Sequence, residues 1–90
     1  MNVATLTHLP KVISRLQELQ LSIEFWQKCY AEAGAQAEEA WEQYDAMIDG
    51  GKSYTAINDF YEAAAMFEDI SLDAWRNWQE AKRQLLELSN

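Results

Sequence analysis

A chain of 90 residues with a net charge of −8 accommodates one domain built on a single small core. Its hydrophobic fraction of 49%, with four Trp, four Tyr and three Phe, excludes a disordered chain, which lacks the apolar side chains that offset ordering entropy. One Cys and one His exclude an internal disulfide framework and a Cys- or His-based metal site, and the excess of 15 acids over 7 bases disfavours contact with nucleic acid or anionic lipid.

The N-terminal MNVATLTHLPK lacks the basic-then-apolar order of a signal peptide, and no run approaches the roughly 20 apolar residues of a membrane span. A cytoplasmic location with a reduced Cys29 is therefore expected. Thr7 is the expected N-cap of a first helix, with Pro10 in a first turn where its missing N–H costs little. Every seventh residue from Leu9 is apolar or aromatic: Leu9, Leu16, Ile23, Tyr30, Ala37, Tyr44. So is the set shifted by three: Val12, Leu19, Trp26, Ala33, Ala40, Met47. Residues three and four apart share a helix face, so this heptad predicts a helix over about 8–49.

Asp49-Gly50-Gly51-Lys52-Ser53 ends that helix, since a glycine adopts the left-handed conformation of a helix C-terminus and Ser53 caps the next. A second heptad runs Ile57, Ala64, Ser71, Trp78, Leu85 with Phe60, Phe67, Ala74, Ala81, Leu88, broken only by Ser71. It predicts a helix over about 54–88, antiparallel to the first because the link is short. With the turn centred between 51 and 52, Ala40 faces Ala63, Ala37 faces Met66, Trp26 faces Asn77 and Trp78, and Leu19 faces Gln84 and Leu85. The expected fold is all-α: one domain, 1–90, forming an antiparallel hairpin of two long helices. Gly34 and the Asp69–Asp73 segment around Ser71 are the two places where kinks would convert it into a three- or four-helix bundle.

Several large apolar residues lie off both seams. Leu21, Phe25, Leu72, Trp75 and Leu86 are expected to form an apolar flank toward the open end, with Cys29 beside it as a small hydrophobe. Such a flank is covered by residues 1–8 folding back, by a second hairpin or by a foreign partner. Trp41 and Trp75, next to the seams, are of the residue type that binding hot spots favour.

Charge is distributed unevenly. Residues 32–73 carry eleven acids against Lys52 alone, while the remainder is slightly positive. Glu38, Glu39, Glu42, Asp45, Asp49, Asp59 and Glu62 are the candidate contact residues of an acidic face. Such a field attracts cationic surfaces and repels nucleic acid. Catalytic chemistry finds little support. The Glu-x-x-His pattern of di-iron bundles is missing, since the lone His8 sits near the N-terminus. EF-hand spacing is absent. Carboxylates without a pocket do not make a glycosidase. Gly51-Lys52-Ser53 lacks the earlier glycine and the preceding strand of a phosphate-binding loop. No catalytic, cofactor or metal residue is assigned.

In length and hairpin layout the chain resembles the Trp-X-Gly family of small secreted hairpins, which dimerise into four-helix bundles. Its turn reads Asp49-Gly50-Gly51 and its nearest Trp is Trp41, so the likeness rests on architecture, which does not imply function. In size and charge it is similar to acidic immunity proteins and to phage-encoded inhibitors that mimic nucleic acid. The expectation is a non-enzymatic binding protein that inhibits or antagonises a partner, a nucleic-acid-processing or defence enzyme, by occupying its basic surface. The alternative is a homodimerising scaffold hairpin. Neither direct nucleic-acid binding nor a membrane is expected.

Overall fold

The computed structural model describes residues 3–89, with side-chain surroundings given for 11–89. Two helices account for nearly all of it: α1, Val3–Asp49, and α2, Tyr54–Ser89. They pack antiparallel along their lengths, and no strand occurs among the described residues. The molecule is a rod of 74 × 16 × 12 Å, matching the ~70 Å that 47 helical residues span at about 1.5 Å each. Its radius of gyration is 20.8 Å, against about 12 Å for a compact domain of this length.

The turn is a Schellman motif. Gly51 has φ +66°, its N–H donates to the Ile48 carbonyl at 3.2 Å, and the Lys52 N–H donates to the Met47 carbonyl at 3.1 Å. Ser53 then caps α2, its Oγ accepting from the Ala56 N–H at 3.4 Å. The start of α1 differs from expectation. The helix begins at Val3, so Thr7 lies within it and is not the cap, and Pro10 falls in the third turn. Pro10 has no N–H to donate, which leaves the Leu6 carbonyl without its usual helical partner. Because residues 3–8 continue α1, they do not fold back over the hairpin. The expectation for the His8 side chain lies outside the described side chains.

Both suspected break points are helical and unbroken. The reason is a contact between them. Ser71 is buried, and its hydroxyl donates across the hairpin to the Tyr30 carbonyl at 3.3 Å. Gly34 lies one turn on, beside the same hydroxyl; a Cβ there would sit 3.6 Å from Ser71 Oγ, an ordinary contact. The two suspected break points thus meet at one interhelical contact.

Packing follows the seams. All positions of the second heptad are buried or half-buried, and so are the described positions of the first except Tyr30. Ala40 and Ala63 line one depression, Trp41 stacks edge-on with Tyr61, and Arg15 reaches Gln84, each within about a turn of the expected register. The core is thin. Among the described residues its buried apolar members are Leu19 and five alanines (33, 37, 64, 74, 81), and no large side chain is fully enclosed. Accessible surface is 6746 Å², above the ~5,400 Å² expected for a compact monomer of 10.4 kDa. The excess is the geometric consequence of two rods with no third layer.

Candidate protein-binding groove

An antiparallel helix pair has two flanks, and here they differ. Positions four residues after the first set of each heptad converge on one flank: Ile13, Gln20, Gln27, Gly34, Trp41 and Ile48 from α1; Tyr54, Tyr61, Glu68, Trp75 and Lys82 from α2. Ile13, Ile48, Tyr54, Tyr61 and Trp75 are exposed. The opposite flank carries mostly small or polar residues, including Ser22, Gln36, Gln43, Ala63, Asn77 and Gln84, with Ile70 as its exposed large apolar residue.

The central part of the apolar flank is a groove of about 750 Å³. Gly34, Ala37 and Ser71 are its small-residue floor; Tyr30, Trp41, Leu72 and Trp75 are its apolar walls; Glu38, Glu42, Asp45 and Glu68 are its rim. No Lys or Arg lines it. Trp41 is held in place from three sides. Its Nε1–H donates to Glu68 Oε1 at 2.6 Å, and its ring meets Tyr44 and Tyr61 edge-on, each at 5.5 Å. One wall and one rim acid are thereby fixed relative to each other across the hairpin. The groove exists because the floor residues are small where the rods cross. The expectation that a bare hairpin holds carboxylates in no concavity is corrected on this point, although all four rim acids remain exposed.

The carboxylates have no internal neutralisation. Every ion pair among the described residues lies outside 33–72: Arg15–Glu18, Lys28–Glu32, Arg76–Asp73, and Arg83 with both Glu80 and Glu87. Arg15, Lys28, Arg76 and Arg83 are paired in the open half, and the turn half is left acidic with Lys52 as its one base. Asp49 is the last residue of α1, whose final turn holds no base. An anion there opposes the helix dipole at a cost of about 0.3–1 kcal/mol. Glu80 is the one acid displaced far from its ordinary value. Arg83 grips it bidentately, Nε to Oε2 at 2.9 Å and Nη2 to Oε1 at 2.5 Å, and lowers it to about 2, with Gln84 contributing a further hydrogen bond.

The groove divides the sequence-derived candidates. Glu38, Glu42 and Asp45 share it with Leu72 and Trp75, so part of the acidic face and part of the apolar flank are one site. Glu39 lines the shallow depression on the opposite flank, and Glu62 accepts a hydrogen bond from Asn58 at 3.2 Å. Asp49 and Asp59 are exposed toward the turn. Leu86 and Leu21 (both 66% exposed) and Phe25 (58%) lie outside the groove, and Phe25 stacks on Trp26 at 4.9 Å. Cys29 is half-buried and free. Sequence reasoning missed Glu68, Gly34, Ser71 and Tyr30 as groove residues. A usable signal was present: Trp41 and Trp75 stand at the same heptad offset, and an antiparallel pair brings equal offsets to one flank.

Among the described residues no three His, Cys, Asp or Glu side chains are placed to hold a metal ion. No described helix is long and apolar enough to cross a membrane. Comparison with protein-family models finds no match, and no curated protein or solved structure is significantly similar to the chain.

Proposed function

We propose that this chain is a non-enzymatic binding protein that antagonises a partner protein, a nucleic-acid-processing or defence enzyme, by occupying its basic surface. The observation that supports the reading best is the segment 33–72, where exposed carboxylates stand without a single internal ion pair. Acids one turn apart on a rigid rod, as at Glu38, Glu42, Asp45 and Asp49, present negative charge at fixed spacing. A surface evolved to hold phosphates meets similar electrostatics there. Such association is fast and weakens with salt.

The test is retention of cell-extract proteins on the immobilised chain over graded salt. Retained proteins are expected to be nucleic-acid binders, to be released by duplex DNA, and to be lost on reversing three charges (Glu42→Lys, Asp45→Lys, Glu62→Lys). Retention that ignores the reversal overturns the reading.

A second reading, a homodimerising scaffold, is favoured by the apolar flank, which continues beyond the groove toward the turn through Ile48, Tyr54 and Tyr61. Light scattering over a concentration series separates the two. A mass near 10.4 kDa supports antagonism by a monomer, and a concentration-independent dimer supports the scaffold.

A further inference from the structure

Resting on the reading that the acidic half engages a basic protein surface, we infer that the groove between Trp41 and Trp75 seats one basic amphipathic α-helix of that partner as a third helix. The occupant inserts aliphatic or aromatic side chains between the two indoles and sets Lys or Arg against Glu38, Glu42, Asp45 and Glu68.

Three features support this occupant. The first is shape. On α1 the groove runs from Tyr30 to Asp45, about 22 Å at about 1.5 Å per residue, and both its walls are unbroken helices. A helix of about 14 residues fills that length, and helix-in-groove recognition uses apolar anchors at i, i+3, i+4 and i+7. An added β-strand is excluded there, because helical walls offer no unpaired backbone edge. The second is charge complementarity. Four carboxylates and no base line the site, so a cationic rim is attracted and an anionic one repelled. A second copy docked groove to groove about a two-fold axis would set acids against acids. The third is preparation. The Trp41 hydrogen bond to Glu68 and its two aromatic contacts hold one wall in place before anything binds, which lowers the ordering cost of association.

The probe is a synthetic peptide of about 18 residues with Leu on one helical face and Lys and Arg flanking it. The control is a scrambled peptide of identical composition. Binding to the full chain is followed by tryptophan fluorescence and by amide shifts in NMR. The amphipathic peptide is expected to bind at least about tenfold more tightly than the scrambled one and to shift amides around Gly34, Ala37 and Ser71. Trp75→Ala is expected to weaken it by about tenfold or more. The double substitution of Glu38→Gln with Glu42→Gln is expected to flatten its salt dependence. Circular dichroism checks that each variant keeps its helicity, and Leu72→Ala replaces Trp75→Ala should that variant lose it. Equal binding of both peptides, indifferent to Trp75→Ala and Leu72→Ala, overturns the groove while leaving the wider acidic-surface reading intact. Binding of neither at low salt overturns both. A dimer that dilution dissociates, with shifts at these same amides, overturns the inference by giving the groove to a second copy.

Discussion

Ser71 and Gly34 show how much one methyl or one hydroxyl decides in so thin a core. Ser71→Ala removes the hydroxyl that donates to Tyr30 and is expected to destabilise the hairpin by about 0.5–1.5 kcal/mol in urea unfolding. Gly34→Ala is expected to do the opposite. Its new Cβ meets Ser71 Oγ at 3.6 Å, an ordinary contact, and the gain in helix propensity is about 1 kcal/mol. A destabilised Gly34→Ala would mean that the rods approach more closely than this contact allows. Trp78 is the counterexample to tight design: its Nε1–H is buried with no acceptor, although its ring stacks near Tyr30 at 5.9 Å and beneath Lys82 Nζ at 4.4 Å. Glu80 offers a pH signature. Its folded value of about 2 lies below the ordinary 4.5, so its ionised form favours the folded state. That contribution is complete above the ordinary value and fades as pH falls through about 2. In a carboxyl NMR titration Arg83→Gln is expected to return Glu80 toward 4.5, while an unmoved Glu80 would remove Arg83 as the cause.

At the scale of the element, the two helices are made by a seven-residue repeat and separated by one backbone conformation. Gly51 at φ +66° is the pivot of the Schellman turn. Gly51→Ala places a Cβ in the left-handed region and is expected to lower stability by about 1–2 kcal/mol. Nothing lies within 4 Å of that Cβ, so the cost is conformational and not steric, and Gly51→Asn should recover part of it. Equal unfolding midpoints for the three proteins would show that the turn carries no strain. α1 has neither acids in its first turn nor bases in its last, and α2 likewise. The helices therefore draw their stability from the seam, from the caps at the turn and from side-chain pairs along the open half, not from charges paired with the helix dipoles.

The whole molecule is a dipolar rod with ion pairs at one end and uncompensated acids at the other. Screening relieves repulsion among those acids, so the thermal midpoint is expected to rise between low and moderate salt. A midpoint that falls with salt would mean that the open-end pairs outweigh the acidic half. Small-angle scattering of a monomer is expected to give a radius of gyration near the 20.8 Å of the hairpin, whereas about 12 Å would indicate a collapsed bundle. The surface in excess of a compact monomer is distributed along two paired rods that have no third layer.

The heptads in the sequence were enough to determine two antiparallel helices, their turn and their approximate register. Apolar residues at i, i+3, i+4 and i+7 have one face to bury, and a glycine pair has one common use at a helix end. The seven-residue period could not tell whether Gly34 and Ser71 break the rods, because propensity prices each residue in its own helix. Only the tertiary structure pairs the missing side chain of Gly34 with the hydroxyl of Ser71. The start of α1 was misplaced for a similar reason: Thr7 has the chemistry of a cap, but the helix runs past it to Val3. The acids and the off-seam apolar residues were legible as types and invisible as a site. Glu38, Glu42, Leu72 and Trp75 are brought to one groove by the pairing of two rods, a long-range fact that the pattern of either helix alone does not contain.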